Sequence, residues 1–336
     1  MQTMFTFSKK LAPLILCIGF SLSCYSLENS GGNSDSVATA NSFTTANNDL
    51  FYEAPSSNFV IRWAFQELCD FVFDPRYIWP TKKVKPHFNP AEVKPGNIIF
   101  VRDAVYYFKH VHPKIEVPYI IITSGEYLDT FQESFFKHAD HKNIIAWFTV
   151  HPCKKFHPKV FPIALGIIQY PELYEKREEV HKTFLKYRKS KKERLLYMNF
   201  TDWKNPERKK VRDIFIEKPF CDHGGACPFT QYIKDVAHHK FVISPPGLGP
   251  DCYRIYESLL VGTIPVVKHS YLDWLYEGLP VLFIDDWNEV TQEFLEQKYA
   301  EITSRKYDPK KLYMEYWIEP IKAVQAQFYA QQTTKE

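Results

Sequence analysis

Charge of one sign, long apolar runs and paired metal ligands are all scarce in this chain. The 42 basic and 39 acidic residues leave a formal net charge of +3 over 336 residues, spread along the sequence. Nucleic acid or an anionic membrane surface as a partner calls for a basic surplus that is missing here. The apolar run Leu11–Ser23 covers about 13 residues, short of the roughly 20 that span a bilayer as a helix. No Cys-x2-Cys pair or matching His spacing accompanies Cys221 and Cys227, so no structural zinc site, and no metal, is expected.

What the chain does have is apolar mass: 45% hydrophobic and 16% aromatic content can bury at least one large core, and the length favours two domains. Lys9 and Lys10 before the short apolar run read as a targeting segment over residues 1–24, which places the protein on an export or secretory route. Signal peptide, lipoprotein with a lipidated Cys24, and retained signal anchor all remain open, the last two implying membrane attachment through this segment. Residues 25–50, rich in Ser, Gly, Asn and Thr, read as a flexible stem. Beyond the leader, Cys69, Cys153, Cys221, Cys227 and Cys252 are odd in number, which fits one or two disulfides and a free thiol. For Cys221 and Cys227 the alternatives are a loop-closing disulfide and two unpaired thiols.

Short apolar runs at Asn97–Val101, Tyr119–Thr123, Asn143–Phe148, Val160–Ala164, Leu195–Phe200, Lys240–Ser244, Thr263–Lys268 and Pro280–Ile284 predict buried strands. Most are separated by enough chain for a crossover helix, so the fold class is α/β with open, doubly wound parallel sheets. The charged stretch Lys176–Arg194 predicts an exposed helix followed by a linker. It divides an N-terminal Rossmann-like domain on the acceptor side, residues 51–188, from a C-terminal nucleotide-binding domain, residues 189–336. The last helical pattern, Leu312–Tyr329, is expected to pack back across the first domain.

The richest segment, His239 to Lys268, reads as strand, Gly/Pro-rich turn, amphipathic helix, Gly stop and strand, which is half of a nucleotide-binding unit. In the turn Ser244 to Pro250, Gly247 and Gly249 allow close backbone approach to a ligand, and free N–H groups at the following helix attract phosphate. Arg254, about one turn in, can hold a diphosphate in a guanidinium fork and stabilise the charge that grows on it. Glu257, three residues on, can accept both hydroxyls of a ribose. The competing reading pairs Arg254 with Glu257 on a solvated helix face.

The segment resembles the donor-binding half of exostosin-like transferases, glycosyltransferase family 47. The pattern is carried by Phe241, Pro246-Gly247, Arg254 to Glu257 and Gly262 to Val266, and continues through Leu272-Asp273, Leu279 to Val281 and Ile284 to Trp287. In the first domain it touches Pro118 to Gly125, Trp147 and His157 to Gly166, so it covers roughly residues 97–290. The resemblance implies a GT-B arrangement, two Rossmann-like domains facing a cleft, with metal-independent and inverting transfer. Where related chains often carry His-Asn-Ser-Asp, this one has Ser124-Gly-Glu-Tyr127.

An inverting transfer needs a base for the acceptor hydroxyl. Asp103 and Glu126, each just after a first-domain strand, are the candidates, with helix capping as the alternative for both. His151, His157 and His223 are placed in loops that could face the cleft, His238 and His239 at a helix end, and Asp286 at a helix cap; none is assigned catalysis. Trp79, Tyr106 to Phe108 and Trp147 are read mainly as core. The function expected is transfer of a sugar from a nucleotide-sugar, which serves as co-substrate with no further cofactor, to a glycan or glycoprotein hydroxyl. Donor contacts are assigned to Ser244, Gly247, Gly249, Arg254 and Glu257. The alternative is a non-catalytic, secreted or surface glycan-binding lipoprotein that keeps the fold.

Overall fold

The computed structural model describes residues 50–52, 58–74, 89–124, 133–168, 176–203 and 205–334. The expected leader, the stem up to residue 49, Trp79 and Glu126 lie outside the described residues. Leu50, expected to close the stem, is buried, and its carbonyl accepts the Tyr307 N–H.

Two five-stranded sheets, parallel throughout, organise the rest. The first contains β1 (Phe71–Phe73), β2 (Ile98–Val101), β3 (Tyr119–Thr123), β4 (Ile144–Thr149) and β5 (Val160–Pro162), in that spatial order. The second contains β6 (Arg194–Met198), β7 (Cys221–His223), β8 (His239–Ile243), β9 (Ile264–Lys268) and β10 (Leu282–Ile284), ordered β10-β9-β8-β6-β7. All eight expected strands are present, with ends shifted by a few residues. The three-residue strands β1 and β7 were not expected.

The first sheet winds in one direction, so right-handed crossovers put its connections on one face. There α2 (Ala104–His110) and α3 (Phe136–Ala139) cover Ile99, Val101, Ile121 and Trp147. Its other face, with Ile98, Phe100, Ile120 and Phe148, joins the main core. That face is closed by α1 (Arg62–Leu68) and by the last helix, α9 (Met314–Thr333), whose Gln325 side chain donates to Gly96 O at 2.8 Å. The expected return of the chain end is thus seen.

The second sheet reverses direction at β6. Right-handed crossovers then place α5 (Pro206–Phe215) on one face, and α6 (Phe229–Ala237) and α7 (Tyr253–Leu260) on the other. The remaining helices are α4 (Arg177–Tyr187), against α6, and α8 (Gln292–Thr303), against β6. The charged stretch forms α4 as expected, but it is not simply exposed, because Val180, Thr183 and Phe184 are buried. Nor is the segment between α4 and β6 a slack linker. The Lys192 ammonium donates to Ala237 O, Val261 O and Thr263 Oγ1 at 2.7–2.9 Å, where a cation complements the C-terminal ends of α6 and α7. Gly262, at φ +70°, closes α7 in the left-handed conformation that glycine adopts freely.

The expectation of disulfides is corrected: all five described cysteines are free. Cys221 and Cys252 are buried, with Cys252 Sγ turned to Pro245 O, and Cys69 Sγ turns back to Phe65 O.

Candidate functional site

Ligands of open α/β sheets sit outside the carboxyl ends of the strands, where the strand order reverses. In the second sheet that point lies between β6 and β8. A cleft of about 1080 Å³ opens there. It is lined by the segments after β6 (Asn199 to Trp203), β7 (Gly224 to Cys227) and β8 (Gly247, Leu248, Asp251), and from the first half by His151, Leu165 and Ile168.

Its polar floor is a group of three guanidinium groups around one ring. Arg208, Arg212 and Arg254 stand 5.9, 5.8 and 5.6 Å from the centre of the Phe200 ring. Each is tied to backbone carbonyls. Arg254 Nε and Nη2 donate to Asn199 O, Arg208 Nε to Pro246 O and Nη1 to Thr201 O, and Arg212 Nη2 to Phe200 O. Arg212 also pairs with Asp202 at 2.8 Å. Burial pulls Arg208 below the ordinary arginine range, and the neighbouring Arg254 adds to the pull. Three fixed guanidinium groups, of which Arg212 is paired with Asp202, form a cradle suited to a polyanion, while the other two carboxyl groups of the lining, Asp251 and Glu257, are buried.

Arg208 and Arg212 were missed from the sequence. They sit in α5, whose run Pro206-Glu-Arg-Lys-Lys-Val-Arg212 reads as a solvated face. The available signal was Asn205-Pro206: the Asn205 side chain caps the Glu207 N–H and Pro206 takes the first helical position, so α5 starts directly after β6. Asn205 Nδ2 also donates to Gly247 O, fastening this cap to the donor turn.

The expected donor residues divide. Gly247, Arg254 and Glu257 line the cleft; Ser244 and Gly249 are outside its lining. The Ser244 N–H donates to Val266 O and that of Gly247 to Gly249 O, while Ser244 Oγ is buried with no partner among the described residues. α7 begins at Tyr253, so Pro250 precedes the helix. Glu257 is only 2% exposed, which rules out a solvated pair with Arg254. Its Oε1 accepts the Ile168 N–H at 3.0 Å, across from the first half. Burial pushes its carboxyl up, while that N–H, Arg254 and the Tyr232 hydroxyl hold it down.

Asp251, which sequence reasoning left unassigned, is a second bridge. Leu165 N and the Tyr256 hydroxyl donate to its Oδ2 at 2.9 and 3.0 Å, and the Tyr276 hydroxyl to Oδ1 at 2.6 Å. Its carbonyl accepts from His151 Nε2 at 2.9 Å. A Cβ on Gly249 would lie 2.7 Å from the His151 ring, so the glycine is required by this approach.

Of the two base candidates, Glu126 lies outside the described residues and Asp103 is placed away from the cleft lining. Asp103, in the left-handed conformation at φ +75°, caps α2 through a bond from the Tyr106 N–H, and it does not line the cleft. His157 pairs with Asp140, His223 lies on β7, and His238 and His239 follow α6, each bonded to a carbonyl of its last turn. Asp286 forms a capping box with Glu289. Trp147, Tyr107 and Phe108 are core, whereas Tyr106 is half-exposed.

Residues 187–332 match the family model described as the RXYLT1 C-terminal domain. Ribitol-5-phosphate xylosyltransferase 1 of Danio rerio is 28% identical over 30% of this chain and 29% of its own length, so the chain spans under a third of that relative. The resemblance to exostosin-like glycosyltransferases is supported. The matched region holds β6 to β10 and the arginine cradle. Among solved structures, an α1,3-fucosyltransferase is 12% identical over 72% of this chain and 80% of that chain, with a TM-score of 0.44. Its structure with GDP-fucose is 11% identical over 72% and 81%, with a TM-score of 0.42.

Proposed function

We propose that this exostosin-like chain is a glycosyltransferase that moves a sugar from a nucleotide-sugar to a hydroxyl of a glycan or glycoprotein. The observation that carries the reading is the three-arginine cradle at the reversal of the second sheet, beside a cleft shared with the first half. When the bond from the anomeric carbon to the diphosphate breaks, negative charge grows on the departing oxygen, and fixed guanidinium groups stabilise it. They also supply the charge that a divalent cation would otherwise provide, which supports metal-independent transfer without a further cofactor. Inversion is what the resemblance to exostosin-like transferases implies, and it calls for a base near the acceptor hydroxyl.

The relative's name pairs xylose with ribitol-5-phosphate. A xylosyl donor and a phosphorylated polyol acceptor are therefore the first candidates for this chain. The targeting segment read over residues 1–24 supports an exported or secretory-pathway protein.

The test is thermal stability of residues 50–336 against a panel of nucleoside diphosphates, in parallel with Arg254→Ala. A diphosphate at 100 times its Kd adds about 2.7 kcal/mol, a readily visible rise in midpoint. The proposal predicts a rise with one nucleotide class that the variant loses. A well-folded sample that responds to none of the nucleotides would remove the transferase reading.

A further inference from the structure

We propose that His151 is the general base that takes the acceptor proton, an assignment that rests on the glycosyl-transfer reading. Three residues of the first half line the cleft among those described, His151, Leu165 and Ile168, and only His151 can accept a proton there. It stands just beyond β4, at the carboxyl edge of the first sheet, with its ring against Gly249 of the donor turn.

Its tautomer is set by its partner. Asp251 O can only accept, so Nε2 carries the hydrogen of the 2.9 Å bond, and in the neutral ring Nδ1 keeps its lone pair. Nδ1 has no protein partner among the described residues. The carbonyl also stabilises the imidazolium that forms, since Nε2–H remains its donor throughout.

The backbone carries the same message. His151 is only 5% exposed and adopts φ +47°, a left-handed conformation that costs a non-glycine residue energy and persists where the surroundings impose it. The surroundings here are the donor turn itself. A side chain needed only for packing could sit on β4 in an unstrained conformation.

The step balances as a single displacement. The acceptor hydroxyl gives its proton to His151 Nδ1 as its oxygen bonds to the anomeric carbon. The bond from that carbon to the diphosphate oxygen breaks, and its electron pair leaves with the diphosphate, against Arg254 and Arg208. The imidazolium returns its proton to water after product release. The charged groups lining the cleft with His151 are Asp202, Arg208, Arg212, Asp251, Arg254 and Glu257.

The experiment monitors nucleoside diphosphate release from a panel of UDP- and GDP-sugars that includes UDP-xylose, with water as acceptor, across pH 5 to 9. His151→Asn keeps a side chain that tolerates the left-handed backbone and removes the base. His151→Gly accepts the same backbone and opens space for added imidazole. The expected result is a rate at least about 100-fold lower in both variants, as loss of a general base costs. Nucleoside diphosphate affinity stays within about twofold of wild type. The acidic limb of the pH profile disappears, and imidazole restores activity to His151→Gly. A merely structural role for the ring would leave the pH limb in place and give no rescue. A wild type that turns over donor while the variants keep its rate and pH profile overturns the assignment of His151 alone. A wild type that neither binds nor turns over any nucleotide overturns the transfer reading, and this one with it.

Discussion

Replacing Asp251 by alanine removes three acceptor contacts supplied by a side chain that is only 2% exposed. The Leu165 N–H is fixed by the chain and cannot turn to a new acceptor, whereas the Tyr256 and Tyr276 hydroxyls can rotate. An orphaned buried amide costs about 2 kcal/mol and each hydroxyl about 1, so the loss is roughly 4 kcal/mol. For a chain of this size that lowers the thermal midpoint by about 7 °C. Asp251→Asn behaves differently. Its amide oxygen can take the place of Oδ2 and keep Leu165 and Tyr256, while its NH2 group donates to the Tyr276 hydroxyl, which turns to accept. That variant should cost only about 1 kcal/mol. Urea and thermal unfolding of residues 50–336 measure both. An alanine variant within about 1 kcal/mol of wild type would refute the reasoning, and so would an asparagine variant as damaged as alanine.

Two further outcomes are expected of the same molecule. Gly249→Ala places a methyl group 2.7 Å from the His151 ring, whereas the Cβ of Gly225→Ala meets nothing within 4 Å. The first should cost about 1–3 kcal/mol, while the second should leave the midpoint unchanged; equal midpoints for the pair would show that the His151 approach is loose. The second outcome concerns His112, bonded at 2.7 Å to the Tyr119 hydroxyl, where burial, aided by His141 and His138, pulls its pKa from 6.5 to about 4. A lowered folded value means that the unfolded chain takes up the proton first, so stability is lost as pH falls from about 6.5 to 4. His112→Gln should flatten that part of the midpoint-against-pH curve, and an unchanged slope would count against the assignment.

The sequence made the architecture legible wherever burial on both faces wrote a continuous apolar run. β3 and β9 are examples, and the donor segment reads correctly as strand, turn, helix and strand. β7 was invisible because Cys-Asp-His has no run, and β1 because Phe-Val-Phe, between Asp70 and Asp74, is too short a run. At the site, Arg254 was legible through its turn and helix, while Arg208 and Arg212 were hidden in a helix whose lysines dominate its pattern. Partners distant in the chain were beyond reach. Nothing local states that Glu257 receives an N–H from Ile168, 89 residues earlier, or that Asp251 receives one from Leu165, 86 residues earlier. His151, left-handed at φ +47°, meets the carbonyl of Asp251, 100 residues downstream, and no window of sequence contains that contact.

The last helix has a consequence for how the molecule comes into being. α9 covers the face of the first sheet that the sheet's own connections leave open, and the strand-like contacts Phe51 with Tyr307 and Phe59 with Tyr313 tie the opening residues to the segment just before it. A ribosome delivers β1 to β5 well before either arrives. The first half must therefore wait through the synthesis of the second with an apolar face uncovered, and chaperones have their opportunity in that interval. Cutting the gene near residue 188 would make that wait permanent.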